Sequence, residues 1–378
     1  MTEESFLRSG RLALDTEFVW TKTYRARLGL VQAAASGGLD AAARLPLAAI
    51  PFRAKGDAES RALLFDPLRS DPAPLGAVLA DEGVAKLLHD AHQDLQHLSH
   101  WTGCAAPRSV FDTRVAAGFC GLPSTLSLAR LVEETCGVAL PKTETRTDWC
   151  RRPLSPEQLE YAAQDVVYLE DAAQELLRRA RAAGTAAWLF EEMARYDDPA
   201  LYADPPDEDA WRRVRHVPPQ VARDPEAMRR LRALAAWRER TARERDLPRK
   251  WVVADETIAA AAARPPASAR DLPPRAVPGA FQAGFLATLR ECAEAPFALE
   301  AERAAPRRDA EEMRRAKDRA TALLAEIARR AEALKVDPAL VATRAEVTDW
   351  ILDPDDPAAP LNRGWRREAV GEALRRTL

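Results

Sequence analysis

The stretch Arg11-Leu-Ala-Leu-Asp-Thr-Glu-Phe-Val19 decides the fold. Its alternation predicts a β-strand with a period of two residues. Asp15 and Glu17 are two positions apart, so the pleat points both carboxylates to one side. Two carboxylates in an apolar segment repel each other and lose hydration. A divalent cation would offset that cost, and hard oxygen ligands favour Mg²⁺ or Mn²⁺ over Zn²⁺. On this tripeptide alone, a solvated outer strand face is the commoner explanation.

The rest of the first half mixes strands and helices, which predicts an α/β domain. Strands are expected at 27–32, 62–65 and 85–89, and helices near 74–82, 91–101, 125–136 and 156–182. Twelve of the 16 glycines precede residue 201, whereas 17 of the 28 prolines follow it. Helices separated by proline breaks are therefore expected in the second half.

Two of the predicted helices carry further polar groups. Asp94 lies in the first turns of the helix near 91–101, where the helix dipole favours a carboxylate. Tyr161 and Asp165 are four residues apart on the helix at 156–182, so they share a face beside its apolar stripe. Each has an ordinary explanation when taken alone: first-turn stabilisation for Asp94, and an exposed helix face for the other two.

Taken in order, Asp15-x-Glu17, Asp94 and Tyr161-x-x-x-Asp165 resemble the motifs of the DEDD exonuclease superfamily, tyrosine subclass. The flanking sequence is similar to the ribonuclease D family within it. The segments that carry this similarity are Thr21-Lys-Thr-Tyr24, Leu28-Gly-Leu-Val-Gln32, Asp112-Thr113, Phe119-Cys-Gly121, Leu131-Val-Glu-Glu134, and Arg146-Thr-Asp-Trp149 through Arg152-Pro-Leu154.

The second half resembles the helical domains of the same family. The run from Ala236 to Pro248 resembles a helicase-and-RNase-D C-terminal (HRDC) domain, and Gly364 to Leu378 resembles the end of a second, degenerate one. The resemblance implies an α/β RNase H-like 3′–5′ exonuclease domain, with a mixed sheet and flanking helices, followed by two all-α HRDC-like domains. The implied boundaries are 1–196 for the exonuclease domain, 197–209 for an acidic linker, 210–294 for the first HRDC domain and 295–378 for the second.

The resemblance also implies a mechanism. Four carboxylates of the family hold two divalent cations, Mg²⁺ or Mn²⁺, and here they are Asp15, Glu17, Asp94 and Asp165. One cation would activate water and the other would stabilise the leaving 3′ oxygen, so that nucleoside 5′-monophosphates leave the 3′ end. Tyr161 would orient the water, because a phenol with a reference pKa of about 10 is a poor base at pH 7. The implied partner is RNA with a single-stranded 3′ end, such as tRNA precursors.

Positive and aromatic side chains are candidates for substrate contacts. Lys142 and Arg146 precede the third motif and could bind phosphates, although a solvated loop explains them equally well. Trp101 and Trp149 could stack on bases, but buried packing is the commoner role. The basic side chains in 211–250 could form an RNA-facing surface or a solvated helix face balanced by neighbouring acids.

Composition and charge narrow the class further. The 378 residues predict two to three domains. No apolar run is long enough for a membrane span, which needs about 18 residues. The five cysteines form no CxxC pair, so a reducing, cytoplasmic location is expected. Residues 1–200 carry 22 Lys and Arg against 28 Asp and Glu, a net charge of −6. A negative half that binds an anion needs cations to help it. No obligate protein partner is evident.

The sequence also allows other functions. A DNA 3′–5′ exonuclease would differ in contacts to the 2′-hydroxyl, which sequence does not show. A catalytically silent RNA-binding scaffold is disfavoured, because the full set of carboxylates and the tyrosine are present. A dehydrogenase is set aside, since the chain lacks both G-x-G-x-x-G and a P-loop. A zinc site formed by His89, His92, His97 and His100 is a minor alternative, because the four need not converge.

Overall fold

The computed structural model describes residues 1–20, 22–36, 39–40, 44–51, 62–141, 147–294 and 309–376. The chain forms two compact units. The first comprises Met1–Val19, Leu28–Ala203 and Arg308–Leu378, and the second comprises Trp20–Arg27 and Asp204–Arg307. None of the described helices combines the length and apolar character that a membrane span requires.

A five-stranded mixed sheet organises the first unit, with the strand order β3-β2-β1-β4-β5. The strands are β1 (Gly10–Val19), β2 (Arg27–Ser36), β3 (Ala62–Phe65), β4 (Val84–Leu88) and β5 (Val110–Asp112). β4 pairs in parallel with both β1 and β5, whereas β2 and β3 are antiparallel. The predicted mixed sheet is confirmed. The short β5 was not predicted, because three residues are too few to show a period.

Helices make up most of the remaining described structure of both units. They are α1 (Glu3–Arg8), α2 (Ala73–Ala80), α3 (Ala91–Thr102), α4 (Thr113–Gly118), α5 (Leu128–Cys136), α6 (Pro156–Val167), α7 (Leu169–Ala183), α8 (Ala186–Met193), α9 (Pro219–Arg223), α10 (Pro225–Glu244), α11 (Arg249–Val252), α12 (Asp255–Ala263), α13 (Gly279–Glu294), α14 (Ala310–Ala333), α15 (Pro338–Val341), α16 (Arg344–Leu352), α17 (Gly364–Arg366) and α18 (Glu372–Arg375). Short 3₁₀ turns occur at Ala194–Asp197, Pro199–Leu201, Asp207–Arg213, Ala269–Asp271 and Pro360–Asn362, and a π turn at Arg367–Gly371.

The predicted helix at 156–182 is in fact two helices, α6 and α7, which meet at Tyr168. The apolar stripe continues across the junction, so hydrophobic periodicity cannot reveal the break. The prediction for β1 also needs correction, since Leu12, Ala13 and Leu14 are all buried instead of alternating with exposed residues. β1 lies between two other strands and has a parallel neighbour, and such strands are covered on both faces.

Residues 309–376, the last segment, pack within the first unit. Trp365 is 1% exposed, and its indole N–H donates to Glu192 at 2.8 Å. Its ring meets Phe119 edge to face, with 4.9 Å between the centroids. Asp337 accepts a hydrogen bond from the Ser124 backbone N–H at 2.5 Å. The sequence predicted a domain of its own at 295–378, because helical composition does not show what a helix packs against.

The second unit is helical, as predicted for the first HRDC domain. Its core contains Leu231, Leu234, Ile258 and Phe285, which come from α10, α12 and α13. The unit also includes residues 20–27, which follow β1 in the chain.

Tyr24 is the anchor of residues 20–27 within the second unit. Its hydroxyl donates to Glu239 Oε1 at 2.5 Å, and its backbone N–H donates to Asp246 Oδ1 at 3.1 Å. The Arg249 guanidinium lies 4.8 Å from the centroid of its ring. Glu239 is held in turn by two hydrogen bonds of 2.6 Å from Arg249. A segment far away in sequence is therefore part of this helical unit.

We expect Trp365→Ala to lower the free energy of unfolding by about 3–5 kcal/mol, the usual cost of truncating a buried aromatic side chain. The change leaves a cavity beside Phe119 and removes a hydrogen bond to Glu192. Urea unfolding followed by circular dichroism measures the effect. The control is Trp251→Ala, because Trp251 is 45% exposed and its loss should cost far less. Equal effects of the two changes would contradict an anchoring role for Trp365.

Candidate active site

Three carboxylates converge in the first unit. Asp15 and Glu17 come from β1, and Asp165 comes from α6, which packs against β1. One oxygen of each lies within 4.8 Å of the others, and all three residues are partly buried. Among the described residues, this is the group of three or more acidic, histidine or cysteine side chains close enough to hold a metal ion. The strand period of two residues predicted that Asp15 and Glu17 lie on one side of β1, and in the structure these two carboxylates are close together.

The start of α6 is fixed by a capping box. The Ser155 hydroxyl accepts from the Gln158 backbone N–H at 3.2 Å, and the Gln158 side chain accepts from the Ser155 backbone N–H at 2.8 Å. Pro156 at the first helical position suits this start. The capping box fixes the first turn of α6. Tyr161 and Asp165 follow one turn apart, on the side of the helix near Asp15 and Glu17.

Asp94 lies beside the group of three carboxylates and not within it. It sits in the first turn of α3, is 9% exposed, and accepts a hydrogen bond from the Thr16 hydroxyl. Thr16 stands between Asp15 and Glu17 on β1, so this bond ties α3 to the strand that carries both carboxylates. In this structure Asp94 is thus adjacent to the site through Thr16.

The pKa values of these carboxyl groups reflect burial and mutual repulsion. Burial is the largest effect on Glu17 and, together with the charges of Asp165 and Asp94, raises its pKa to about 9. Burial also raises the pKa of Asp165 and of Asp94 to about 7. The pKa of Asp15 is raised well above its usual value by burial and by the three other carboxylates. The site therefore holds more negative charge than it can stabilise alone.

Tyr161 completes the set of residues predicted from the sequence. Its hydroxyl donates to the Asp165 carboxylate, and its ring centroid lies 6.2 Å from that of Trp149. Burial, followed by the charges of Asp165, Glu17 and Asp15, raises its pKa above the ordinary value. The phenol therefore stays protonated at neutral pH and can orient a bound group, but it cannot act as a base. Trp149 is buried, which leaves its ring in the core and not in position to stack on a base.

Gln32 on β2 is a contact that the sequence analysis did not assign. Its side chain is fully buried, and Nε2 donates to Asp15 Oδ2 at 3.1 Å. This hydrogen bond holds the Asp15 carboxylate in one orientation. The signal that could have revealed it is an amide in an otherwise apolar strand, since a buried amide needs a polar partner.

The other predicted contacts have different outcomes. Lys142 and Arg146 lie outside the described residues. The His89 ring nitrogens lie 3.0 Å from Thr113 Oγ1 and from the Leu126 carbonyl oxygen, so both are already engaged. The His97 ring packs edge-on against Phe18, with 4.4 Å between the centroids. Within the described residues, these histidines belong to no group that could hold a metal ion.

Comparison with known proteins agrees with this geometry. A family model described as a 3′–5′ exonuclease matches residues 2–180, and an HRDC domain model matches residues 227–273. The ribonuclease D of Desulfotalea psychrophila is 39% identical over 70% of this chain and 64% of that protein. The ribonuclease D of Cronobacter turicensis is 34% identical over 97% of this chain and 94% of that protein.

A solved structure extends the similarity to three dimensions. The crystal structure of Escherichia coli RNase D, described as an exoribonuclease involved in structured RNA processing, matches with a TM-score of 0.76. The sequences are 30% identical, and the match covers 99% of this chain and 96% of that one. The similarity therefore includes both units of the chain.

The matches and the carboxylate site together show that the chain is a 3′–5′ exoribonuclease with an HRDC domain. More narrowly, it belongs to the ribonuclease D family, as the relative aligned over nearly its full length shows. The resemblance seen in the motifs is thus confirmed. Exonucleases of this kind use divalent metal ions, and the acidic group on β1 and α6 is suited to bind one.

We expect the protein to lose stability as the pH rises when divalent cations are absent. The pKa values of Asp94 and Asp165 are raised to about 7 and that of Glu17 to about 9, so the folded chain holds protons that the unfolded chain releases near pH 4. The stabilisation is fully present below pH 4 and is lost progressively as the pH rises from about 4 to the folded-state pKa, which is about 7 for Asp94 and Asp165 and about 9 for Glu17, by at most about 1.4 kcal/mol per pH unit and group. Thermal unfolding between pH 5 and 9, in chelator and in Mg²⁺, measures it.

A bound cation stabilises the ionised carboxylates, so Mg²⁺ should flatten this pH profile. Asp15→Asn provides the control, because it removes one of the repelling charges. In chelator, the variant should depend less on pH and should gain less from Mg²⁺. Identical profiles in chelator and in Mg²⁺ would show that the carboxylates bind no cation.

Proposed function

We propose that this chain trims the 3′ ends of tRNA precursors and other small structured RNAs, and that it releases nucleoside 5′-monophosphates by a two-metal-ion mechanism. The convergence of Asp15, Glu17 and Asp165 within 4.8 Å, with Asp94 beside them, carries the proposal. The substrate class is supported by the similar Escherichia coli enzyme, which is described as taking part in structured RNA processing. No disulfide joins any two of the described cysteines, which fits a cytoplasmic location.

The donor set fits two divalent cations, Mg²⁺ or Mn²⁺. All four side chains, Asp15, Glu17, Asp94 and Asp165, offer hard oxygen ligands. Burial and neighbouring carboxylates raise the pKa values of all four groups, and a bound cation would offset both effects. Bound there, the cations would lower the pKa of a water and stabilise the leaving 3′ oxygen.

The chain's own residues orient the reacting groups. Gln32 holds the Asp15 carboxylate, and Thr16 holds that of Asp94. The Tyr161 hydroxyl is hydrogen-bonded to Asp165. By rotating, this hydroxyl can reach a water or a phosphate oxygen instead. Because its pKa is raised, Tyr161 contributes orientation and not proton removal.

A basic cleft in the second unit is proposed to contact RNA. It has a volume of about 1080 Å³ and is lined by Arg212, Arg213, Val214, Arg215, His216, Arg238, Arg249, Lys250, Ala254, Asp255 and Glu256. Glu239 pairs with two of these cations, Arg213 and Arg249. The side chains of Arg215 and Lys250 form no ion pair with another described residue. Two uncompensated cations in one cleft suit the phosphates of a polyanion.

We expect Asp15→Asn to reduce exonuclease activity by about 10³-fold or more, because transition-state stabilisation by a metal ion is worth several kcal/mol. A gel time course with a 5′-labelled RNA that has a structured body and a single-stranded 3′ tail measures this, in Mg²⁺, Mn²⁺ and chelator. The wild type should give a ladder that shortens from the 3′ end only when metal is present, and faster on RNA than on the matching DNA.

The matched control is Asp355→Asn, which neutralises a carboxylate whose side chain is 90% exposed in the last segment. It should cut at the wild-type rate. Faster digestion of DNA would favour a DNA exonuclease. RNA that is bound but not shortened by the wild type would favour a silent scaffold.

Loss of the two uncompensated cations should weaken RNA binding in a salt-dependent way. For the double variant Arg215→Ala/Lys250→Ala, the slope of log affinity against log salt should fall by about 1.4, since each phosphate contact to a single strand contributes about 0.7. Fluorescence anisotropy with a labelled single-stranded RNA measures the slope. Lys317→Ala/Arg363→Ala removes the same charge from exposed sites in the last segment and should leave the slope unchanged. An equal change in both variants would indicate only a general charge effect.

A further inference from the structure

Asp112, the last residue of β5, lies next to the starts of α3 and α4. Its side chain has no part in the proposed reaction. β4 and β5 are parallel and in register, with Leu88 opposite Asp112. β4 leads into α3, which carries Asp94, and β5 leads directly into α4. The Asp112 side chain is 1% exposed. Strand pairing therefore places a buried carboxylate where two helices begin.

The Asp112 carboxylate accepts hydrogen bonds from the starts of both helices. The Asp90 N–H donates to Oδ1 at 3.1 Å, and the Ala91 N–H donates to Oδ2 at 2.9 Å. The Arg114 N–H, from α4, donates to Oδ1 at 2.8 Å. The Tyr196 hydroxyl donates to Oδ2 at 2.5 Å. One buried side chain thus fixes the first turn of α3 relative to the end of β5.

α3 depends on this external acceptor because its own capping residue does not serve it. Asp90 has a φ of 64°, in the left-handed region, and its side chain makes no capping hydrogen bond. That side chain pairs instead with Arg114. The backbone N–H groups at the start of α3 would lose their buried acceptor if Asp112 were changed.

We infer that Asp112 is a positioning residue for Asp94 and thereby sets the metal affinity of the active site. Asp94 follows Ala91 by three residues, within the turn that Asp112 holds. A shift of this turn moves the Asp94 carboxylate away from the position fixed by Thr16 on β1. The inference rests on the proposed function, in which Asp94 is a metal ligand.

Asp112→Asn tests the inference. The amide keeps the size of the carboxylate, but it replaces one acceptor oxygen with an NH₂ group that cannot accept from Ala91 or Tyr196. Mn²⁺ binding is measured directly by electron paramagnetic resonance of the free ion, and exonuclease activity is measured against Mn²⁺ concentration. We expect affinity for Mn²⁺ to fall by about 10-fold or more, as is usual when a residue that orients a ligand is lost. At saturating Mn²⁺ the cleavage rate should return to within about threefold of wild type, since the ligands themselves are intact.

Asp224→Asn is the matched control, because Asp224 caps α10 in the second unit and accepts from the Glu226 N–H at 3.0 Å. The Asp224→Asn variant makes the same chemical change at a helix start, and it should leave the affinity for Mn²⁺ unchanged. If Asp112→Asn lowers the melting temperature but leaves Mn²⁺ affinity at the wild-type value, Asp112 is only a structural cap and the inference is overturned.

Two further variants distinguish a failure of this inference from a failure of the proposed role of Asp94. Asp94→Asn should itself weaken Mn²⁺ binding; if it does not, the proposed role of Asp94 fails, whatever Asp112→Asn does. If Asp112→Asn does not fold, Tyr196→Phe removes one donor from the Asp112 carboxylate and leaves the helix caps in place. It should weaken Mn²⁺ binding by about two- to fivefold, a small part of the effect of losing an orienting residue. Unchanged Mn²⁺ binding in that variant overturns the inference.

Discussion

Repulsion between carboxylates is the constraint on which the rest of this structure depends. Asp15, Glu17 and Asp165 offer oxygens within 4.8 Å of one another in a partly buried site, with Asp94 close by. Left alone, such side chains would turn apart or take up protons. They are held by rigid neighbours: a central strand, a helix with a capping box, and hydrogen bonds from Gln32 and Thr16. The surrounding frame, rather than the carboxylates themselves, thus keeps these oxygens close together.

The residues proposed as metal ligands, together with Tyr161, were the most predictable part of the site. The period of a strand puts Asp15 and Glu17 on one side, and helix geometry puts Tyr161 and Asp165 one turn apart. The Ser155 capping box marks the start of α6 in both sequence and structure. These are short-range relations, which depend only on the local backbone. The order of the motifs then indicated the family, and the comparisons confirmed it.

Relations between distant parts of the chain were much harder to predict. β5 is too short to show a period, so the junction at Asp112 could not be inferred from the sequence. Gln32 and Asp15 meet because their strands are neighbours in the sheet, and Trp365 meets Phe119 because the last segment packs within the first unit. Nothing in local sequence encodes which surfaces will meet. Helical composition at 309–376 therefore indicated secondary structure correctly but not the unit to which these helices belong.

The interleaving of the two units in sequence has a consequence for how the protein is made. The chain passes from one unit to the other at residues 19/20, 27/28, 203/204 and 307/308. Trp365 and Leu374 share one apolar core with Leu12 and Leu14. Multidomain chains generally fold from the N-terminus during synthesis, but here the first unit cannot complete its core until residues 309–376 have been synthesised. All described residues of the second unit are synthesised before this segment, so the second unit can complete its fold before the first unit does.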